Sequence, residues 1–178
     1  QKAAKSADII GAMSLEALKG VMNAFDARVM QVRPHTDQGD TAENVRRILA
    51  GSGIIEKYRG HRVQDALSLR CIPQLHGAAK KTFRDAEKTI ESEMNSCCDN
   101  PILWPEEGNQ DVISACNPDS AYVGMEMDSA CIAAVSLAKM SERRNNRMID
   151  ESLSGYPSFC IANPGLNSGL MIPQYTQA

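Results

Sequence analysis

At 178 residues, 43% hydrophobic and 23% charged, the chain is long enough for one ordinary domain with a sizeable core. A formal net charge of -3 argues against a general nucleic-acid binder, and only 4% aromatic residues beside abundant Ala, Leu, Ile and Met fits closely packed helices. The six cysteines (71, 97, 98, 116, 131 and 160) form no C-x-x-C pair, so reduced cytoplasmic thiols acting as small buried hydrophobes are expected, with no metal site and no disulfide framework.

From residue 7 to 32, Ile9, Ile10, Met13, Leu18, Val21, Met22, Phe25 and Val29 recur at helical spacing and predict one helix. Arg33 and Pro34 end it, because the residue before proline avoids the α region. Residues 35–39 read as a loop, with His35 a capping or loop residue. Asp40 and Glu43 have capping-box spacing and predict a short helix to about residue 50, broken by Gly51 and Gly53. Residues 54–63 are ambiguous. A longer helix is predicted from about 65 to 95, with Pro73 bending or restarting it.

Asp99, Asn100 and Pro101 signal a turn, and the runs 102–104 and 111–114 flank a polar stretch that predicts a small β-hairpin. Another long helix is predicted from 120 to 149, its Met125, Met127 and Met140 read as packing residues. A loop rich in Ser, Gly, Pro and Asn follows over 151–167, and a helical pattern begins near residue 170. The fold class is therefore mostly all-α, a long-helix bundle with one short hairpin. No apolar run approaches the ~20 residues that span a membrane. Both ends read as cut, so residues 1–178 are expected to be the central helical segment of a longer polypeptide.

The most informative stretch is 64–74. Gln64, Leu67, Arg70 and Gln74 stand three to four residues apart and would share one helix face. A guanidinium flanked by amides can clamp a carboxylate, since Arg offers a planar pair of donors. Arg143, Arg144 and Arg147 read instead as a solvated or salt-bridged helix face.

Residues 64–71, Gln-Asp-Ala-Leu-Ser-Leu-Arg-Cys, also resemble the signature of the histidine and phenylalanine ammonia-lyases, Gln-Asp-x-Tyr-Ser-Leu-Arg-Cys. The resemblance extends in order through 11–27, Arg33-Pro34-His35 with Gln38, 99–101, 111–114 with Asn117, 141–144 and 167–172. It implies a mostly helical, homotetrameric protein whose active sites are each built from several subunits. It also implies a methylidene-imidazolone electrophile, made from an Ala-Ser-Gly tripeptide, that serves as an electron sink while ammonia leaves. No Ala-Ser-Gly occurs here; the nearest string is Ala-Gly-Ser-Gly at 50–53. In the family the tripeptide lies upstream of this segment, so the group is expected only in the full-length protein and no cofactor in the segment itself.

On this resemblance Arg70 holds the substrate carboxylate and Gln64 lies near the substrate. Asn117 matches the asparagine of a Gly-Asn-Phe segment, although Pro118 replaces its aromatic. Leu67 stands at the catalytic tyrosine, where leucine can neither donate nor accept a proton. Met171 replaces a lysine of the plant phenylalanine lyases, which leans the chain toward the histidine-lyase side. The implied function is the central part of a methylidene-imidazolone-dependent lyase acting on an aromatic L-amino acid, inactive as an isolated chain. Its expected partners are the remaining segments of the same protein, further copies in a tetramer and a small amino acid, not nucleic acid or membrane. The alternative is a divergent or non-catalytic member acting as a helical assembly module.

Overall fold

The computed structural model describes residues 2–105, 108, 111–163 and 165–178. Its helices are α1 (Lys2–Ala17), α2 (Ala27–Gln31), α3 (Thr36–Ile48), α4 (Gly53–Lys57), α5 (Leu67–Arg70), α6 (Ile72–Met94), α7 (Ala121–Ile149), α8 (Glu151–Ser154) and α9 (Met171–Gln177), with 3₁₀ turns at Met22–Phe25 and Ser158–Cys160. A two-stranded antiparallel hairpin, β1 (Ile102–Leu103) and β2 (Val112–Ile113), pairs Ile102 with Ile113 and Leu103 with Val112. The mostly all-α architecture is as expected. Four residues of the expected hairpin turn, 106, 107, 109 and 110, lie outside the described residues.

The single helix predicted over 7–32 is instead broken after Ala17. Lys19 takes a left-handed φ of 58°, while the Lys19 amide bonds the Glu16 carbonyl at 3.0 Å and the Gly20 amide the Leu15 carbonyl at 2.7 Å. This is a Schellman termination with lysine in the left-handed position. Gly20 is required by close approach, since a Cβ there would stand 2.2 Å from Leu15 Cδ1. The expected capping box at 40–43 is not used either: α3 begins at Thr36, directly after the extended His35. Ser52 caps α4, accepting from the Ile55 amide at 3.1 Å.

Pro73 restarts the helix as anticipated. It falls in the first turn of α6, where its missing N–H leaves no bond unmade. α6 lies against α3 at Gly77, where a Cβ would stand 2.7 Å from the Gln38 backbone nitrogen. Leu15, Leu18, Phe25, Val45, Leu69 and Ile72 form the core between α1, α3 and the start of α6. A buried polar clamp crosses it. The Asp8 carboxylate accepts from His76 Nδ1 at 3.0 Å and Asn44 Nδ2 at 3.0 Å and pairs with Lys80, tying α1 to α3 and α6.

α6 and α7 pack antiparallel. Arg144 near the end of α7 reaches Ser68 just before α6, and Asn117 just before α7 reaches Cys97 just after α6. The expectation was that no apolar run approaches the length that spans a membrane; α7 is long and apolar enough by length and composition only. An 18-residue window of this 29-residue helix reaches a mean hydropathy of 1.2, because small Ala, Ser, Gly and Cys dilute the few charges there. Length and composition alone define that match, and the C-terminal half of the helix holds the buried Glu142 and Arg144. Tyr122, Met125, Ile132 and Val135 lie exposed along it, so Met125 does not pack within the chain. The cysteines are corrected too: Cys97, Cys98, Cys116 and Cys131 are exposed, and Cys71 and Cys160 half-buried, because the first three lie in the connection between α6 and α7 and Cys131 sits on an exposed face of α7.

Candidate functional site

α5 is one helical turn, and its position is fixed from both ends. Before it, the buried Asp65 accepts from the Val21 amide at 2.7 Å and pairs with Arg62 at 3.3 Å. Within it, Leu69 is fully buried in the core and Ser68 nearly so. These anchors leave Leu67 on the opposite side, 63% exposed, with Arg70 half-buried at the C-terminal end.

Gln64 does not share a helix with Arg70, because α5 starts only at Leu67. The pair nevertheless meets: Arg70 Nη1 donates to Gln64 Oε1 at 2.7 Å. Arg70 Nε is buried without a partner, and among the described residues no carboxylate lies within ion-pair distance of Arg70. A guanidinium held by one amide, with further donors uncommitted, has the geometry to receive an anionic ligand. Gln74 Oε1 is also buried without a partner. It lines a cleft of about 250 Å³ with Arg33, His35 and Gln38, in which Arg33 Nη1 donates to Gln38 Oε1 at 2.9 Å.

Asn117 is not brought to this place. Its Nδ2 donates to the Cys97 carbonyl at 3.0 Å, beyond the far end of α6. Since α6 has 23 residues, Asn117 and Arg70 are separated by about 34 Å within one chain, at ~1.5 Å per residue. Asn100 serves the loop, its Oδ1 accepting from the Ala115 amide at 2.8 Å. Met171 opens α9 on the flank of α7, where Gln174 Nε2 donates to Glu142 Oε1 at 2.9 Å. The larger open depression, about 520 Å³, is lined by Asn146, Asp150, Phe159 and Gln174 and includes none of the residues named from the sequence.

Arg144 was missed. The basic cluster was expected to be a solvated or salt-bridged face, yet Arg144 is only 4% exposed and donates to the Ser68 carbonyl at 3.2 Å. Only Arg143 fits the expectation, paired with Glu142 at 2.5 Å. Burial pushes the Arg144 guanidinium below its ordinary range and the Cys71 thiol beside it upward. The Asp8–His76 pair was missed as well. Burial holds His76 below the usual imidazole value against its opposing bond to Asp8. Asp8 is pushed up by burial, but its bonds from His76, Lys80 and Asn44 outweigh that and leave it low.

With this geometry in hand, the comparisons with known proteins agree. The chain matches the aromatic amino acid lyase family over residues 1–178, and it belongs to that family. It is 46% identical over 178 residues to histidine ammonia-lyase of Alkaliphilus metalliredigens, covering all of this chain and 35% of that protein. The crystal structure of histidine ammonia-lyase from Trypanosoma cruzi superposes with a TM-score of 0.86 at 34% identity, over 99% of this chain and 32% of that one. Tyrosine aminomutase from Streptomyces globisporus also gives a TM-score of 0.86, at 33% identity, over 98% of this chain and 37% of its own. The chain thus spans about a third of the length of the relatives it matches.

Proposed function

We propose that this chain is the central helical segment of a histidine-type ammonia-lyase and that it contributes the carboxylate-binding part of the active site. The observation that carries this reading is Arg70: half-buried, aligned by Gln64 and without an internal counter-ion. In the role proposed, Arg70 accepts the α-carboxylate of an aromatic L-amino acid, Gln64 fixes the plane of the guanidinium, and Leu67 forms an apolar wall at the mouth. Met171 would contribute to the substrate pocket through neighbouring segments. The electron sink, a methylidene-imidazolone group, would come from an Ala-Ser-Gly tripeptide that these 178 residues do not contain. An uncommitted Arg70 donor fits the substrate of such a group; no residue described here replaces its chemistry.

Assembly belongs to the same reading. Asn117 lies about 34 Å from Arg70 in its own chain, at ~1.5 Å per residue of α6, so if the two serve one site, they come from different copies. The exposed apolar residues Ile9, Ile10 and Met13 on α1, and Met125, Ile132 and Val135 on α7, supply surface for those copies and for the rest of the polypeptide. A cytoplasmic homotetramer follows from this reading.

The test is direct. The complete polypeptide, incubated with L-histidine, L-phenylalanine and L-tyrosine, should release an ultraviolet-absorbing arylacrylate from at least one of them, and the 178-residue segment from none. Turnover by the segment alone would contradict the reading. A complete protein that binds none of the three would favour the assembly-module alternative.

A further inference from the structure

α5 has four residues, too few for a helical turn to persist on its own. Asp65 fixes the approach to it and Leu69 anchors it in the core. A further anchor, on the backbone of the turn itself, comes from α7. Arg144 Nη1 donates to the Ser68 carbonyl, two residues before Arg70. A cation at the carbonyl end of a helical turn also interacts favourably with its dipole.

The choice of residue is informative. Arg144 is 4% exposed, its Nε has no partner, and among the described residues no carboxylate pairs with it. An unpaired buried cation is destabilising, and an apolar residue of similar volume would fill the space better. What arginine adds is a donor aimed at the α5 backbone and a positive charge beside it. Both Arg144 and Arg70 act electrostatically on the Cys71 thiol, so both guanidinium groups lie near that residue.

We propose that Arg144 is a positioning residue for Arg70: by holding the Ser68 carbonyl it sets the angle at which Arg70 meets a substrate carboxylate. This rests on the reading of Arg70 given above. Arg144 itself touches no substrate; it acts through the α5 backbone.

The experiment uses the complete polypeptide and ligands that cannot eliminate ammonia. 3-(Imidazol-4-yl)propanoate and 3-phenylpropanoate are each compared with their primary amides by equilibrium binding. The parent should prefer acid over amide. Arg144→Met should reduce that preference about tenfold or more, the scale expected when a binding group is displaced by a fraction of an ångström to 1 Å. Arg144→Lys, which keeps the charge and one donor, should recover part of it. A purely structural role would lower the melting temperature and leave the acid-to-amide ratio of the folded molecules unchanged. A parent with no acid preference overturns the Arg70 reading and this inference together. A parent with a preference that Arg144→Met retains overturns only this inference. Failure of both variants to fold shows a structural role and also overturns it.

Discussion

The Arg70 guanidinium donates to Gln64 Oε1 at 2.7 Å although Gln64 lies outside the helical turn that carries Arg70. The contact spans six residues and depends on the non-helical stretch before α5, where the buried Asp65 carboxylate is fixed by the Val21 amide. Gln64 thus takes one donor of the guanidinium and leaves Nε without a partner. Leu67, between Gln64 and Arg70 in sequence, has no group that can donate or accept a proton.

Leu67→Tyr should therefore add what the site lacks. A positioned acid–base group typically supplies about 10²- to 10⁴-fold in rate. Leu67 is 63% exposed, so a phenol fits without disturbing the core. Steady-state assays of the complete protein should show a higher kcat on an aromatic L-amino acid with KM little changed. An unchanged kcat would mean that residue 67 does not face the reacting carbon.

Gly77→Ala and Gly124→Ala should move stability in opposite directions. At Gly77 the added carbon meets the Gln38 backbone at 2.7 Å, whereas at Gly124 nothing lies within 4 Å. Overpacking at the first site costs about 1–3 kcal/mol. At the second, alanine gains up to ~1 kcal/mol of helix propensity. Urea unfolding of the 178-residue chain measures both, and equal midpoints would show that α3 and α6 are not in close contact at Gly77.

Much of this packing was legible in the sequence and some was not. Pro73 marked the restart of α6, the pattern over 120–149 marked α7, and the paired apolar runs marked the hairpin, because each signal is local. The break after Ala17 was hidden because Lys19, not a glycine, takes the left-handed position. The burial of Arg144 could not be read from its own helix, since an arginine-rich face looks the same whether water or Ser68 receives it. The Asp8–His76 bond joins residues 68 apart, beyond the reach of any periodicity. Arg70 and Gln64 were singled out through a motif, and the structure shows that they meet; the distance of Asn117 from them needed the antiparallel pairing of α6 and α7.

Stability should fall as pH drops from neutrality. Burial holds folded His76 below the ordinary imidazole value of 6.5. Below that pH the unfolded chain binds a proton that the folded chain resists, so stability is lost by at most ~1.4 kcal/mol per pH unit. Asp8 acts in the same direction at lower pH, because its folded carboxyl sits below 3.8 and its contribution disappears as the native carboxylate is protonated. Urea midpoints at pH 7.5 and 5.5 should differ in the parent and converge in His76→Gln. A His76→Gln chain with the parent's pH dependence would place the titrating group elsewhere.

The most direct test of the central claim is the affinity of the complete protein for 3-(imidazol-4-yl)propanoate before and after Arg70→Ala. A hydrogen bond to a charged group contributes about 1.5–3 kcal/mol, which corresponds to a tenfold to hundredfold weaker dissociation constant when it is removed. Arg70→Ala should show that loss for the acid while binding of the primary amide changes little. Equal affinity of parent and Arg70→Ala for the acid would contradict the assignment of Arg70 as the carboxylate clamp.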